Sequence, residues 1–205
     1  LILKVQGPNE SESNLLKENQ VIIGLLQPHS ETIINRLKAS GVIGFAMERL
    51  PRISRAQSMD VLSSQANLAG YKAVLMAANV YPKLMPMLMT AAGTVKAARV
   101  VIMGVGVAGL QAIATAKRLG AVVEATDVRP ETKEQVESLG AKFIEVPLTE
   151  AEEELAKGEG GYAKEMSDDY KKRQGELIAS KLSQADIVIT TALIPGKPAP
   201  ILVTE

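Results

Sequence analysis

The chain has 205 residues, 46% hydrophobic and 22% charged, and its 23 basic and 23 acidic side chains leave no formal net charge. That length holds one large or two small domains of ordinary globular composition, and neutrality removes the electrostatic case for nucleic acid or anionic lipid. With no cysteine, a single histidine (His29), and two Phe and four Tyr as its only aromatics, the chain excludes disulfides, thiolate chemistry, its own multi-histidine metal centre and a base-stacking platform.

Leu1–Val5 reads as a strand already under way and Val21–Leu26 as a second, with a polar, turn-rich segment over 7–20 between them. Ser30 is placed to cap a helix over Glu31–Ala39, Gly41 ends it, and Val42–Met47 forms a third strand. Such alternation argues for a parallel sheet with crossover helices. Lys4, ending the first strand, either pairs with a substrate carboxylate or faces solvent; His29, in the turn after Pro28, reads as structural. From Gln57 to about Tyr81, Val61, Leu62, Leu68, Val74, Leu75 and Met76 recur at helical spacing, until Pro82 and Pro86 intervene. The methionines Met85, Met87 and Met89 read as gap-filling core, and Ala91–Val95 as a loop.

Arg99–Met103 is the next strand, followed by Gly104-Val-Gly106-Val-Ala-Gly109, a helix over Val107–Leu119 and a strand over Ala121–Thr126. Asp127 lies 18 residues past the third glycine. Strand, glycine turn, helix, strand and acid in that order make the dinucleotide-binding fingerprint in its required setting. Gly104 permits the tight turn, Gly106 lets backbone N–H groups approach a pyrophosphate, and Gly109 brings helix and strand together. The helix N-terminus adds donors and a positive dipole end. Asp127 is placed to accept from the adenosine ribose hydroxyls and to repel a 2′-phosphate, which favours NAD over NADP. Arg129 is the counter-signal: its guanidinium could hold a phosphate, or it begins a helix with Pro130 and faces solvent.

That helix ends at Gly140, and Phe143–Val146 is the next strand. Glu150–Gly161 is too polar to bury. It reads as a solvated face or, with Gly158-Glu-Gly-Gly-Tyr162, as a mobile flap carrying one aromatic. Ser167 is placed to cap a helix running to about Leu182, and Asp186–Thr190 is a fourth parallel strand where a full dinucleotide domain has about six. The expected class is α/β, with two Rossmann-like doubly wound parallel-sheet lobes joined by a long helix. Residues 1–57 belong to the first lobe, 58–98 form the bridging helix and hinge, and 99–205 an incomplete NAD-binding lobe. A start at Leu1 and a stop just after a Pro-rich turn give the expectation of a piece truncated at both ends. Val100–Ala116 lacks charge, but its glycines and Gln111 fit the fingerprint better than a membrane span, and no transmembrane or signal segment is visible.

The second chemical signal is Pro51-Arg-Ile-Ser-Arg-Ala-Gln-Ser-Met-Asp60, after the third strand. Two arginines, an amide, two hydroxyls and a carboxylate there could hold a carboxamide and ribose hydroxyls without supplying an acid or base. The same stretch also reads as an N-cap at Ser58 beside solvated arginines. Poverty of acid–base groups is informative, because moving a hydride to or from a hydroxyl or amine also requires moving a proton. Direct hydride exchange between two nicotinamide rings requires only close placement and exclusion of water.

Together with Ala66-Asn-Leu-Ala-Gly-Tyr71, Gly160-Gly-Tyr-Ala-Lys-Glu-Met166 and Thr190-Thr-Ala-Leu-Ile-Pro-Gly-Lys-Pro-Ala-Pro200, the 51–60 and 104–109 blocks resemble the NAD(H)-binding component of proton-translocating nicotinamide nucleotide transhydrogenase, over essentially the whole chain. The resemblance implies two Rossmann-like lobes, a homodimer, and a component peripheral to a membrane, on the cytoplasmic face of a bacterial inner membrane or the mitochondrial matrix face. It also implies hydride transfer between NAD(H) and NADP(H), the latter held on a separate component and coupled to proton movement by a membrane component. By the same resemblance Arg52 and Asp60 position the nicotinamide, Gln57 reaches toward the partner's NADP(H), and Ser63 offers a nearby hydroxyl. Gly106, Val107 and Ala108 form the pyrophosphate turn, and Asp127, Val128 and Arg129 the adenosine ribose site. Gly161 and Tyr162 belong to a loop closing over NAD(H), and Gln174 and Leu193 line the adenosine side and the cleft. Family members commonly carry Pro-Pro where this chain has Lys96-Ala97. Two alternatives stand beside this one: an alanine-dehydrogenase-like enzyme using Lys4, and a non-catalytic NAD-sensing module.

Overall fold

The computed structural model describes residues 1–51, 53–129, 131–147, 168–193 and 198–203. Leu1–Gln65 and Ala66–Leu193 form two compact units, and the dividing point falls inside the long helix α3 (Val61–Val80).

The first unit contains β1 (Ile2–Gln6), α1 (Glu10–Ser13), β2 (Val21–Leu25), α2 (Glu31–Ala39) and β3 (Ile43–Ala46). β1 and β3 both pair in parallel with the central β2. Ile22, Leu26 and Leu37 form the core, with Ile2, Leu16, Ile33, Val42 and Ala46 packed against it. The polar segment expected as turn holds α1, whose capping box is closed by Glu12 N–H donating to Asn9 Oδ1 (2.9 Å) and Asn9 N–H to Glu12 Oε2 (2.8 Å). Ser30 occupies the N-cap position of α2 without making a side-chain cap bond.

The second unit contains β4 (Leu88–Thr90), β5 (Gly93–Val95), β6 (Arg99–Met103), α4 (Val107–Arg118), β7 (Val122–Thr126), α5 (Thr132–Ser138), β8 (Lys142–Phe143), α6 (Asp168–Leu182) and β9 (Ile187–Thr190). Its main sheet runs β8-β7-β6-β9, all parallel. The uninterrupted apolar run of β6 is what a strand covered on both faces requires. Val100 and Ile102 pack with Ala112, Ile113 and Ala116 of α4, Val136 of α5 and Val74 of α3. Val101 and Met103 belong to a separate cluster with Leu177, Ile178 and Leu182 of α6. The sheet is therefore doubly wound, and its order reverses between β6 and β9, the switch point where open α/β sheets bind ligands.

Several expectations need correction. Ala91–Val95 is not a plain loop, because Leu88–Thr90 and Gly93–Val95 pair antiparallel in a hairpin. Of the methionines read as core, Met85 is buried, but Met87 and Met89 are 56% and 73% exposed beside or on that hairpin. β8 is shorter than the run 143–146. Ile144 N–H still donates to Ala125 O (2.7 Å), after which the chain leaves the ladder although Val146 stays buried. Pro130, Glu150–Gly161 and Ser167 lie outside the described residues.

On the α6 face, buried Glu124 of β7 accepts from Lys181 Nζ (2.6 Å) and Arg99 Nη2 (3.5 Å). Burial pushes its carboxyl up, but Lys181 and then Arg99 outweigh this and hold it below the usual carboxylate range. A depressed folded-state value means that the pair stabilises above the unfolded-state value and that this is lost as pH falls through the folded one. Lys181→Met is accordingly expected to lower the unfolding free energy by about 1–3 kcal/mol at pH 7. In urea denaturation the gap to the parent protein should close as pH drops below about 4.

Candidate functional site

The glycine turn leaves β6 at the switch point. Gly104 adopts φ +99°, a left-handed conformation that side chains resist. Its N–H donates to Thr126 O (2.9 Å), and its carbonyl accepts from Thr191 Oγ1 (2.8 Å), while Thr191 N–H donates to Met103 O (2.8 Å). The turn is thus held from the ends of both neighbouring strands, β7 and β9. Gly106 is the N-cap of α4 and lends it no side-chain cap. A Cβ added there would meet nothing within 4 Å, so the space over the first turn is open. The first N–H groups of an α-helix have no intrahelical carbonyl to bond, and the glycine that precedes them here brings no side chain to cap them. Val107 is exposed at the first helical position, and Ala108 is half-buried beside it. Gly109 is buried, and a Cβ on it would strike the Gly104 carbonyl oxygen.

Asp127 follows β7 and turns toward the same loop. Its Oδ2 accepts from Val105 N–H (2.6 Å), and its Oδ1 accepts from Arg129 N–H and Nε, each at 2.9 Å. Arg129 Nη2 donates to Asp127 Oδ2 and to Val105 O, both at 3.2 Å. Burial raises the Asp127 carboxyl, but the Arg129 guanidinium and the Val105 and Arg129 backbone N–H groups hold it below its ordinary value, while Asp127 pushes Arg129 up. Both groups are charged at neutral pH. The expectation that Arg129 begins a helix is corrected. α5 starts at Thr132, whose N–H and Oγ1 donate to Arg129 O, and the guanidinium is half-exposed yet committed to Asp127. Val128, between them, is 82% exposed.

In the 51–60 segment, Ser54–Met59 winds as a 3₁₀ helix anchored by buried Ala56, with Gln57 and Ser58 on its exposed side. The cap of α3 comes from Asp60 rather than Ser58. Ser63 N–H donates to Asp60 Oδ1 (3.0 Å) and Ser63 Oγ to Oδ2 (2.6 Å). Two of the three residues nominated for the nicotinamide, Asp60 and Ser63, are therefore brought into contact. Arg52, Gly161 and Tyr162 lie outside the described residues. Gln174 is half-buried on α6, and Leu193 is exposed two residues past Thr191. Lys4 is in an ion pair with Glu12, and His29 is exposed in its turn.

Three contributors escaped sequence reasoning. Thr191 ties the glycine turn to β9. Glu48 gathers the Leu26 and Gln27 N–H groups at the end of β2 (3.2 and 2.6 Å). Gly70, buried on α3, lies flat against the first turn of α4, where a Cβ would run into the Ala108 carbonyl. Apart from its place in the 66–71 block, its sequence signal is a glycine inside an otherwise helical pattern. Among the described residues no cluster of three or more His, Asp or Glu could hold a metal, and no helix is long and apolar enough to cross a membrane.

The family model "Alanine dehydrogenase/PNT, N-terminal domain" matches residues 1–69, and "Alanine dehydrogenase/PNT, C-terminal domain" matches 73–205. The chain is 54% identical over 213 residues to a subunit alpha polypeptide of NAD(P) transhydrogenase from Rhodospirillum rubrum, covering 100% of this chain and 54% of that protein. It is 51% identical over 210 residues to the protein of the same name from Rickettsia prowazekii, again covering 100% and 54%. A crystal structure of transhydrogenase from Sinorhizobium meliloti superposes with TM-score 0.84 at 53% identity, covering 98% of this chain and 53% of that one. The chain thus spans about half the length of the curated relatives it matches.

Proposed function

The chain belongs to the alanine dehydrogenase/PNT family, and we propose that it is the NAD(H)-binding component of a transhydrogenase that exchanges hydride directly with NADP(H) held on a partner component. The observation that carries this reading is the turn at the switch point, with open space over Gly106, uncapped N–H groups at the start of α4, and the ionised Asp127 fastened beside them. An anion-receiving helix end next to a ribose-accepting carboxylate fits a dinucleotide.

In this reading the cofactor supplies the hydride chemistry, and the chain supplies binding and placement. The Val107, Ala108 and Gly109 amides receive the pyrophosphate, and Asp127, with Val128 and Arg129 beside it, takes the adenosine ribose. Arg52, Asp60 and Ser63 orient the nicotinamide, with the Asp60–Ser63 contact fixing one end of that set. Gln57, exposed on the 3₁₀ helix, faces outward as a group meeting a second nucleotide must. Gly161 and Tyr162 close over the site, and Gln174 and Leu193 line its adenosine side and the cleft. No residue acts as acid or base, since hydride exchange between two nicotinamides leaves no proton to move at the reacting carbons. We further infer a homodimer peripheral to the membrane, on the cytoplasmic or matrix face, whose membrane component couples transfer to proton translocation. Residues 58–98 serve as the bridge between the lobes. The alanine-dehydrogenase-like alternative depends on Lys4, whose ammonium is engaged by Glu12.

Calorimetric titration tests the reading. NADH is expected to bind at least about tenfold tighter than NADPH, given the carboxylate at the ribose position. A preference for NADPH, or binding of neither, would sink it. Gln57→Asn, assayed with the NADP(H)-binding component, is expected to slow transfer about tenfold while the NADH dissociation constant stays within about twofold. Unchanged transfer would remove Gln57 from the ring interface.

A further inference from the structure

The arginine beside the ribose carboxylate has an assignment that neither a simple phosphate ligand nor a solvated side chain would have. Arg129 makes two side-chain hydrogen bonds to Asp127, through Nε to Oδ1 (2.9 Å) and Nη2 to Oδ2 (3.2 Å), in the bidentate pattern that planar guanidinium and carboxylate favour. Its Nη2 also reaches Val105 O (3.2 Å), so the guanidinium spans the strand end and the glycine turn. Asp127 in turn holds Val105 N–H (2.6 Å). Carboxylate, guanidinium and the Val105 peptide therefore close a ring in which each charge is answered inside the protein.

We infer that NAD-over-NADP selectivity resides in this Asp127–Arg129 pair and not in Asp127 alone: Arg129 is a positioning residue that aims the carboxylate, and its own charge is a phosphate-binding group kept out of use by Asp127. This rests on the dinucleotide reading of the site. A 2′-phosphate arriving at the ribose position meets the carboxylate's negative charge, and the neighbouring guanidinium is already bidentate to that carboxylate. Engaging the phosphate would mean breaking those bonds with the carboxylate still charged. Remove the carboxylate charge, and a guanidinium anchored at Val105 O, with donors to spare, stands ready where the phosphate would sit. Loss of Asp127 should therefore not merely weaken NADH. It should switch on a phosphate site that depends on Arg129.

The test compares ADP-ribose with its 2′-phosphate by calorimetry on the full-length protein, which isolates the adenosine half from the nicotinamide. Asp127→Asn keeps an oxygen able to accept from Val105 N–H but loses the charge. It is expected to bind ADP-ribose about tenfold more weakly and the 2′-phosphate about tenfold more tightly than the parent protein, with a steeper salt dependence for the phosphorylated ligand. Asp127→Asn/Arg129→Gln should lose that gain, and Asp127→Asn/Arg129→Lys should keep some of it as a point charge. Arg129→Gln alone should weaken ADP-ribose about threefold or more and leave the 2′-phosphate no tighter. If Asp127→Asn gains nothing, or the double Gln variant keeps the gain, the inference is overturned. If Arg129→Gln alone costs the 2′-phosphate tenfold, Arg129 already serves it in the parent protein and the inference is again overturned. If the parent protein binds neither probe, the dinucleotide reading itself fails and this inference falls with it, an outcome distinct from the others.

Discussion

Gly109→Ala is expected to raise the NADH dissociation constant at least about a hundredfold and to lower the unfolding free energy by about 1–3 kcal/mol. The new methyl group would point into the Gly104 carbonyl oxygen, which is backbone and cannot rotate away. That carbonyl is also pinned from behind by Thr191 Oγ1 at 2.8 Å, so β6 cannot yield without breaking the bond to β9. The helix has to move instead, and the Val107 and Ala108 amides move with it. Because the amides act only in a fixed arrangement around an anion, a shift of about 1 Å costs much more in binding than in stability. Fluorescence titration with NADH and urea denaturation on the same variant separate the two losses. A variant that binds normally would show that the start of α4 is not where the nucleotide sits.

Gly70→Ala is expected to weaken NADH by about tenfold or more and to destabilise the protein by about 1–2 kcal/mol. The sign is the informative part. Replacing glycine by alanine inside a helix ordinarily stabilises by about 0.8–1 kcal/mol. Gly175 of α6 provides the control, because a Cβ there meets nothing within 4 Å, and Gly175→Ala should follow the ordinary rule. At Gly70 the Cβ would sit against the Ala108 carbonyl carbon at 2.8 Å and its Cα at 3.0 Å, so α3 and the first turn of α4 would be forced apart. If both variants are stabilised alike and bind NADH alike, α3 does not set the position of that turn.

These two glycines mark the limit of what the residues alone reveal. Gly109 is legible because its reason lies five residues away, in the carbonyl of Gly104, and the spacing of the fingerprint encodes that distance. Gly70 has its reason across the fold, in Ala108, and a glycine in a helical pattern says only that something is close. Thr191 is equally silent, since its partner Gly104 is 87 positions earlier. The parallel strands were readable as apolar runs with glycine and acid punctuation. The β4–β5 hairpin was not, because Ala91-Ala92 carries none of the residues that favour tight hairpin turns and both strands are exposed. At the start of α3, Ser58 and Asp60 are both good caps by type. Only the 3₁₀ turn through Met59, which delays the helix to Val61, decides for Asp60. Asp127 was legible as a carboxylate at a strand end, but its bidentate Arg129 was not, because pairing two residues apart depends on how the chain turns after β7.

The tie between Thr191 and Gly104 also has a meaning in time. During synthesis the glycine turn is made first, and 87 more residues must be added before Thr191 exists. At about 5–20 residues per second that interval is roughly 4–17 s. Throughout it the Gly104 carbonyl lacks its hydroxyl, and the Arg99 N–H lacks Asp186, which also comes 87 positions later. Pairings so distant in sequence form late because the intervening chain must be ordered before they gain anything. The nascent chain therefore carries a complete fingerprint long before it has a rigid one, and on the proposed reading full affinity for the nucleotide is acquired only when β9 docks.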